Sequence, residues 1–198
     1  MKKIVFATTN QGKMKEVRMI MRDLGVEICS LKDLNIDIDI KEDGTTFEEN
    51  AMIKASTIAK MTNEIVLADD SGLEVDYLNK APGILSARYM GEDTPYDIKN
   101  QAILDQLADA EGAERSARFV CAIACVMPNG ESFTTRATIE GEIGYKIEGN
   151  EGFGYDPIFY VPEFGCTTAQ LTPEQKNKIS HRGKALTEMK KILAQKIK

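Results

Sequence analysis

The chain holds a single histidine, His181, too few to build a histidine-based metal centre. It has no apolar run approaching the roughly 20 residues that cross a bilayer, so no membrane partner is expected. It also lacks a basic excess: 25 Lys and Arg face 31 Asp and Glu, a net charge of −6, which argues against a nucleic-acid partner. No Walker-type phosphate loop occurs. The stretch GNEGFG is not a GxGxxG dinucleotide fingerprint, so a redox nucleotide cofactor is unsupported. There is no internal repeat, low-complexity segment or clear linker. Cysteines are few: Cys29, Cys121, Cys125 and Cys166. Cys121 and Cys125 lie four apart in the apolar run Phe119 to Met127, beyond disulfide reach along one strand. They read as small buried hydrophobes in a reducing compartment. The basic start has only a short apolar stretch behind it, which fits a strand better than a signal peptide. A cytoplasmic location is expected.

What is present is a globular balance, with 42% hydrophobic and 28% charged residues. A chain of 198 residues suits one large domain or two small lobes around a cleft. Lys3 to Thr8 reads as a buried strand, followed by a Thr-Asn-Gln-Gly turn. Met14, Val17, Met21 and Leu24 then recur at helical spacing, Gly25 stops the helix, and Val26 to Ser30 is a second strand. Thr46 and Glu49 form a capping box, and Phe47, Ala51, Ala55 and Ile58 stripe the next helix. Ile65 to Ala68 is a buried strand ending in Asp69-Asp70-Ser71-Gly72. Thr94 and Pro95 open another helix as N-cap and first residue, with Ile98, Ala102, Leu104 and Leu107 along it. Arg118 to Met127 and Ser132 to Glu140 form a hairpin across Pro128-Asn129-Gly130. Gly141 to Asp156 reads as a glycine-rich loop with a short strand. Thr172-Pro173-Glu174-Gln175 is a second capping box, and a last helix begins near Gly183. The expected fold class is α/β with a mixed sheet.

Four stretches carry polar chemistry. Asp69 and Asp70 follow a buried strand, where open α/β sheets bind ligands, and paired carboxylates suit Mg²⁺. By itself the tetrapeptide fits a solvated turn equally well. In the turn Thr8-Thr9-Asn10-Gln11-Gly12-Lys13, a helix N-terminus and a lysine favour an anion. A plain polar turn capped by Asn10 explains it slightly better. In Gly152-Phe153-Gly154-Tyr155-Asp156, either aromatic suits stacking on a base and Asp156 suits a base N–H. Alone it reads first as a glycine-rich turn with an aromatic in the core. Last, His181 and Arg182 adjoin a helix start with Lys176 upstream, and a lone histidine is more often structural. Together the four supply acids for a metal, lysines for phosphates and aromatics for a base. That set matches phosphoryl or nucleotidyl hydrolysis.

The stretches ATTNQGKMKE, EDGTTFEENAMIKA, LADDSGLEVDYLNKAPGILSARY, GFGYDPIFYVP and LTPEQKNKISHRGKAL, in this order, resemble the RdgB-like family of inosine/xanthosine triphosphate pyrophosphatases. The resemblance runs from near residue 7 to near residue 186. It implies one two-lobed α/β domain over residues 1–198, with an elongated mixed sheet, flanking helices and a nucleotide cleft between the lobes. It also implies a homodimer, a Mg²⁺ requirement, and hydrolysis of dITP, ITP and XTP to the monophosphate and pyrophosphate, which cleanses the nucleotide pool. By position, Thr8, Thr9, Asn10, Gln11, Gly12 and Lys13 would bind the triphosphate, with Lys54 also on phosphate. Glu42, Asp69 and Asp70 would hold the metal, Asp70 would activate water and Ser71 would touch substrate. Phe153, Gly154, Tyr155, Asp156, Lys176, His181 and Arg182 would form the base pocket and its surroundings. Thr9 stands where many members have Gly, and Ile147 to Asn150 replaces a frequent Pro-x-Gly stretch. The rivals are a Maf-like pyrophosphatase acting on other modified nucleotides and a nucleotide-binding module without turnover.

Overall fold

The computed structural model describes residues 2–197. Its strands are β1 (Lys3–Phe6), β2 (Glu27–Ser30), β3 (Ile65–Val75), β4 (Ser116–Val126), β5 (Ser132–Ile143), β6 (Phe159–Val161) and β7 (Cys166–Thr167). Its α-helices are α1 (Gln11–Met21), α2 (Phe47–Thr62), α3 (Tyr96–Gln106), α4 (Pro173–Ile179) and α5 (His181–Lys196). The strands form one mixed seven-stranded sheet in the order β2-β1-β3-β4-β5-β6-β7. β1 pairs in parallel with β2 and β3, whereas β6 pairs antiparallel with β5 and β7. No helix among the described residues is long and apolar enough to cross a membrane.

The chain divides into two compact units: residues 1–70, 121–137 and 181–198, and residues 71–120 and 138–180. The first unit buries Ile4, Phe6, Leu67, Cys121, Ile123 and Cys125 from its strands. Met14, Val17 and Met21 of α1 and Leu186, Met189 and Leu193 of α5 pack against them. The second unit buries Leu73, Val75, Phe119, Ile139, Ile158 and Phe159 with Ile103, Leu104 and Leu107. Burial raises the thiol pKa of Cys121, so it stays protonated and inert.

Several expectations shift. β3 does not end at Ala68 but runs through Asp69-Asp70-Ser71-Gly72 to Val75, because Leu73 and Val75 are fully buried and extend the apolar strand beyond the polar tetrapeptide. Pro95 is the N-cap of α3 rather than its first residue, since its ψ of 147° is extended. The buried face of α3 includes Lys99 and Asn100, while Ile98 is exposed. Inside, Lys99 Nζ donates to the Ala87 carbonyl (2.7 Å) and Asn100 Nδ2 to that of Gly154 (3.1 Å), while Asn100 Oδ1 finds no hydrogen-bond partner among the described residues. β5 extends to Ile143 through Gly141, where a Cβ would lie 2.5 Å from the Tyr160 carbonyl oxygen. α5 begins at His181 rather than Gly183, which places His181 and Arg182 in its first turn. At α2 only half of the expected capping box forms. Thr46 accepts from the Glu49 N–H, but the Glu49 carboxylate takes the N–H and hydroxyl of Thr45.

Candidate active site

In the first unit, parallel pairing sets Phe6 beside Leu67, and the Ala7 N–H donates to the Leu67 carbonyl (2.7 Å). The Thr8–Lys13 turn therefore leaves the carboxyl end of β1 beside the stretch of β3 that carries Asp69. Asn10 caps α1: its Oδ1 accepts from the Lys13 N–H (3.0 Å), and its own N–H donates to Thr8 Oγ1 (3.2 Å). The capping reading of Asn10 is thus what its side chain does, and the helix N-terminus remains a favourable place for an anion.

The two aspartates are adjacent in a strand, so they face opposite sides of the sheet. Their partners differ accordingly. Asp69 accepts from Lys13 Nζ (3.0 Å) and Arg182 Nε (3.2 Å), and Arg182 Nη1 also donates to Glu16 (2.6 Å). Burial alone would raise the pKa of Asp69, but Lys13 and Arg182 outweigh it and hold the carboxyl well below the usual range. Burial opposes the charge of Arg182 as well, and Glu16 and Asp69 overcome it. Asp70 accepts from Asn50 Nδ2 (3.2 Å) and Lys54 Nζ (3.3 Å), and Lys54 also donates to Glu42 (2.9 Å). Here burial prevails: it pushes Asp70 up to about 6, Lys54 pulling down and Glu42 adding to the rise. Lys54 stays charged, since Asp70, Asp69 and Glu42 together outweigh its own desolvation.

Of the three expected metal-binding carboxylates, Glu42 and Asp70 are thus gathered about one cation, the Lys54 ammonium, while Asp69 is engaged by Lys13 and Arg182. No cluster of three or more Asp, Glu, His or Cys suited to a metal occurs among the described residues. Two carboxylates already arranged around a positive charge fit Mg²⁺, which takes one or two carboxylates and completes its shell with waters and phosphate oxygens.

In the second unit, Asp156 is buried and its oxygens are already engaged. Oδ2 accepts from Lys176 Nζ (2.7 Å) and the Phe153 N–H (2.8 Å), and Oδ1 from Thr168 Oγ1 (2.8 Å). Its geometry is that of an anchor which holds Lys176 4.8 Å from the centre of the Phe153 ring. Gly152 is required here, because its φ is +76° and a Cβ would sit 2.2 Å from Asp156 Oδ2. Tyr155 is a core residue: it meets Tyr96 edge-on at 5.2 Å, and its hydroxyl donates to the Ser86 carbonyl (2.8 Å). Phe153, half-buried, is the better placed of the two aromatics for stacking. Tyr155→Phe should accordingly cost about 1 kcal/mol in denaturant unfolding and shift KM less than about twofold. A KM rise of tenfold without loss of stability would put Tyr155 on the ligand instead. Ser71 lies half-buried in β3, and His181 is buried at the start of α5.

Residues that motif reading passes over complete these networks: Glu16, Asn50, Ser86, Asn100 and Thr168. Asn50 alone carried a signal, as a polar residue within the apolar stripe of α2.

A sequence model of the Ham1 family matches residues 4–192 of the chain. A dITP/XTP pyrophosphatase of Clostridium perfringens is 47% identical, with 96% of each chain covered. One of Bacillus subtilis is 44% identical, with 98% of each covered. Among solved structures, a HAM1 protein from Coxiella burnetii superposes with a TM-score of 0.89 at 42% identity, over 98% of this chain and 100% of that one. The Staphylococcus aureus Ham1 protein gives 0.86 at 43% identity, with the same coverage.

Proposed function

We infer the function from this premise: the chain belongs to the Ham1 family. It is a nucleoside-triphosphate diphosphatase that hydrolyses non-standard purine triphosphates such as dITP, ITP and XTP to the monophosphate and pyrophosphate. The reaction keeps deaminated purines out of nucleic acid. The observation that carries this reading to particular residues is the Lys54 ammonium held by Glu42 and Asp70 on one side of β3, with Lys13 held by Asp69 on the other.

Water attacks the α-phosphorus and pyrophosphate leaves. Asp70, with each oxygen on a donor, orients that water in a site where charge is poorly screened. Lys13, Lys54 and the backbone N–H groups opening α1 meet the phosphate oxygens as preorganised positive charge. Asp69 acts through the cations it holds, Lys13 and Arg182. Glu42 and Asp70 would hold Mg²⁺, which supplies further neutralisation of the charge that develops on the phosphate oxygens. Phe153 is assigned to stacking on the base, with Gly154 and Lys176 beside it, and His181 is assigned to the base as well. A 6-keto purine is preferred over adenine when a fixed donor faces position 6, because adenine's amino group leaves that donor unpaired. Work as a homodimer in the cytoplasm belongs to the same proposal.

The test is a panel of dITP, XTP, dATP, dGTP and dTTP with Mg²⁺ and identification of the phosphate product. Pyrophosphate from dITP and XTP, with dATP slower by about 10³-fold or more, is the expected result. Release of inorganic phosphate, or equal rates on every base, would overturn it.

A further inference from the structure

A fully buried Asn in a helix costs stability unless both ends of its amide are paired, since it is a poor helix former and its polar atoms are desolvated. Asn50 is such a residue, 0% exposed within α2. Its Oδ1 accepts from the Gly44 N–H (2.9 Å), and its Nδ2 donates to Asp70 Oδ2 (3.2 Å). The amide orientation follows from these partners, because a flip would set N–H against N–H and oxygen against carboxylate. Lys54 lies four residues on, hence on the same helix face, and donates to the other oxygen, Asp70 Oδ1. Asp70 is therefore gripped at both oxygens from one helix, and its carboxylate plane cannot turn without losing a partner. The other end of Asn50 ties down the segment that carries Glu42. Gly44 has no room for a side chain there, as a Cβ would stand 2.7 Å from Asn50 Oδ1.

We propose that Asn50 is the positioning residue for Asp70: it fixes the carboxylate plane that orients the attacking water, and it keeps the Glu42–Gly44 segment in the same frame. The inference rests on the reading of Asp70 as the water-orienting carboxylate. A neutral amide suits the task, because it orients without adding a cation that competes for phosphate. Lys54 is assigned to phosphate as well, so its hold on Asp70 is divided; Asn50 touches no group assigned to the ligand other than Asp70.

The experiment compares Asn50→Ala, Asn50→Asp and Asp70→Asn. It reads kcat and KM on dITP, affinity for a non-hydrolysable α,β-methylene analogue of dITP by calorimetry, and cooperative melting. Asn50→Ala is expected to lose about 10- to 100-fold in kcat, the scale of a small misplacement of a reacting group, with KM and analogue affinity within about threefold. Asn50→Asp keeps the volume and the acceptor for Gly44 but not the donor, and should lose as much; it carries the comparison if the alanine variant does not fold. Wild-type kcat in a folded Asn50 variant overturns the inference. So does a loss shared equally by kcat and analogue affinity, which would make Asn50 a brace for the turn alone. Turnover retained in Asp70→Asn would sink the underlying reading, whereas a dead Asp70→Asn beside a fully active Asn50→Ala sinks only this one.

Discussion

Asp70→Asn is expected to lower kcat by about 10²–10⁴-fold and, in the metal-free protein, to remove a pH dependence of stability. The first effect follows from the loss of the carboxylate that orients and accepts from water. The second follows from burial. The folded pKa of Asp70 is pushed up to about 6 by desolvation, which Lys54 only partly offsets and Glu42 reinforces. The unfolded value is about 4, so the folded state binds the proton more tightly. The contribution of Asp70 to stability is therefore whole below the unfolded value and is lost as pH rises through about 6. Asn carries no titrating proton. Between pH 4 and pH 8, with chelator present, the stability of the variant minus that of wild type should grow by about 1–3 kcal/mol. Urea unfolding at several pH values measures this directly. A flat or falling difference would place Asp70 in contact with solvent, and turnover within tenfold of wild type would remove it from the chemistry.

Arg182→Ala should cost about 3–5 kcal/mol of stability. Arg182 is 2% exposed and bridges Glu16 and Asp69, which itself is 2% exposed. Removing the guanidinium leaves carboxylates in low dielectric with less compensating charge, and the penalty is their desolvation rather than the value of the ion pair. For a chain of this length each kcal/mol shifts Tm by roughly 2–4 °C, so the melting point should drop by about 10 °C. Arg182→Lys keeps the charge but not the planar fork, and should fall between the two. Adding Glu16→Gln to Arg182→Ala should recover part of the loss, because one of the stranded charges is gone. A Tm within 2 °C of wild type in Arg182→Ala, by scanning calorimetry, would contradict the buried network. Turnover should fall too, since Asp69, which holds Lys13, would lose its second cationic partner.

These two changes differ in how far the sequence foretold them. Asp70 stands in a motif, Asp69 to Gly72, whose acids are visible on reading. That the neighbouring acids have separate partners was not visible. It depends on β3 running on through the tetrapeptide, which sends successive side chains to opposite faces. Arg182 stood out beside His181 as a donor for a base, but its guanidinium is held by Glu16, 166 residues earlier, and by Asp69, 113 residues earlier. Asp156 follows the same pattern: it reads as a free acceptor, yet Lys176 and Thr168 occupy it.

By itself, the sequence determined what local physics and family pattern can encode. Helical spacing of Met14, Val17 and Met21, the capping residues Asn10, Thr46 and Thr172, and the apolar runs of β1, β3 and β4 set the elements. The five ordered motifs identified the reaction. Only the tertiary structure decided which charges neutralise which, and that Asn50 reaches Asp70 across 20 residues of chain. It also decided the two units: of their four boundaries, those after 70, 120 and 137 fall inside β3, β4 and β5, where no linker composition can mark them, and the one after 180 falls between α4 and α5. The physical reason is common to all these cases. Propensity and periodicity act over a few residues, whereas the pairing of a buried charge is settled by whichever opposite charge the fold brings within hydrogen-bond distance.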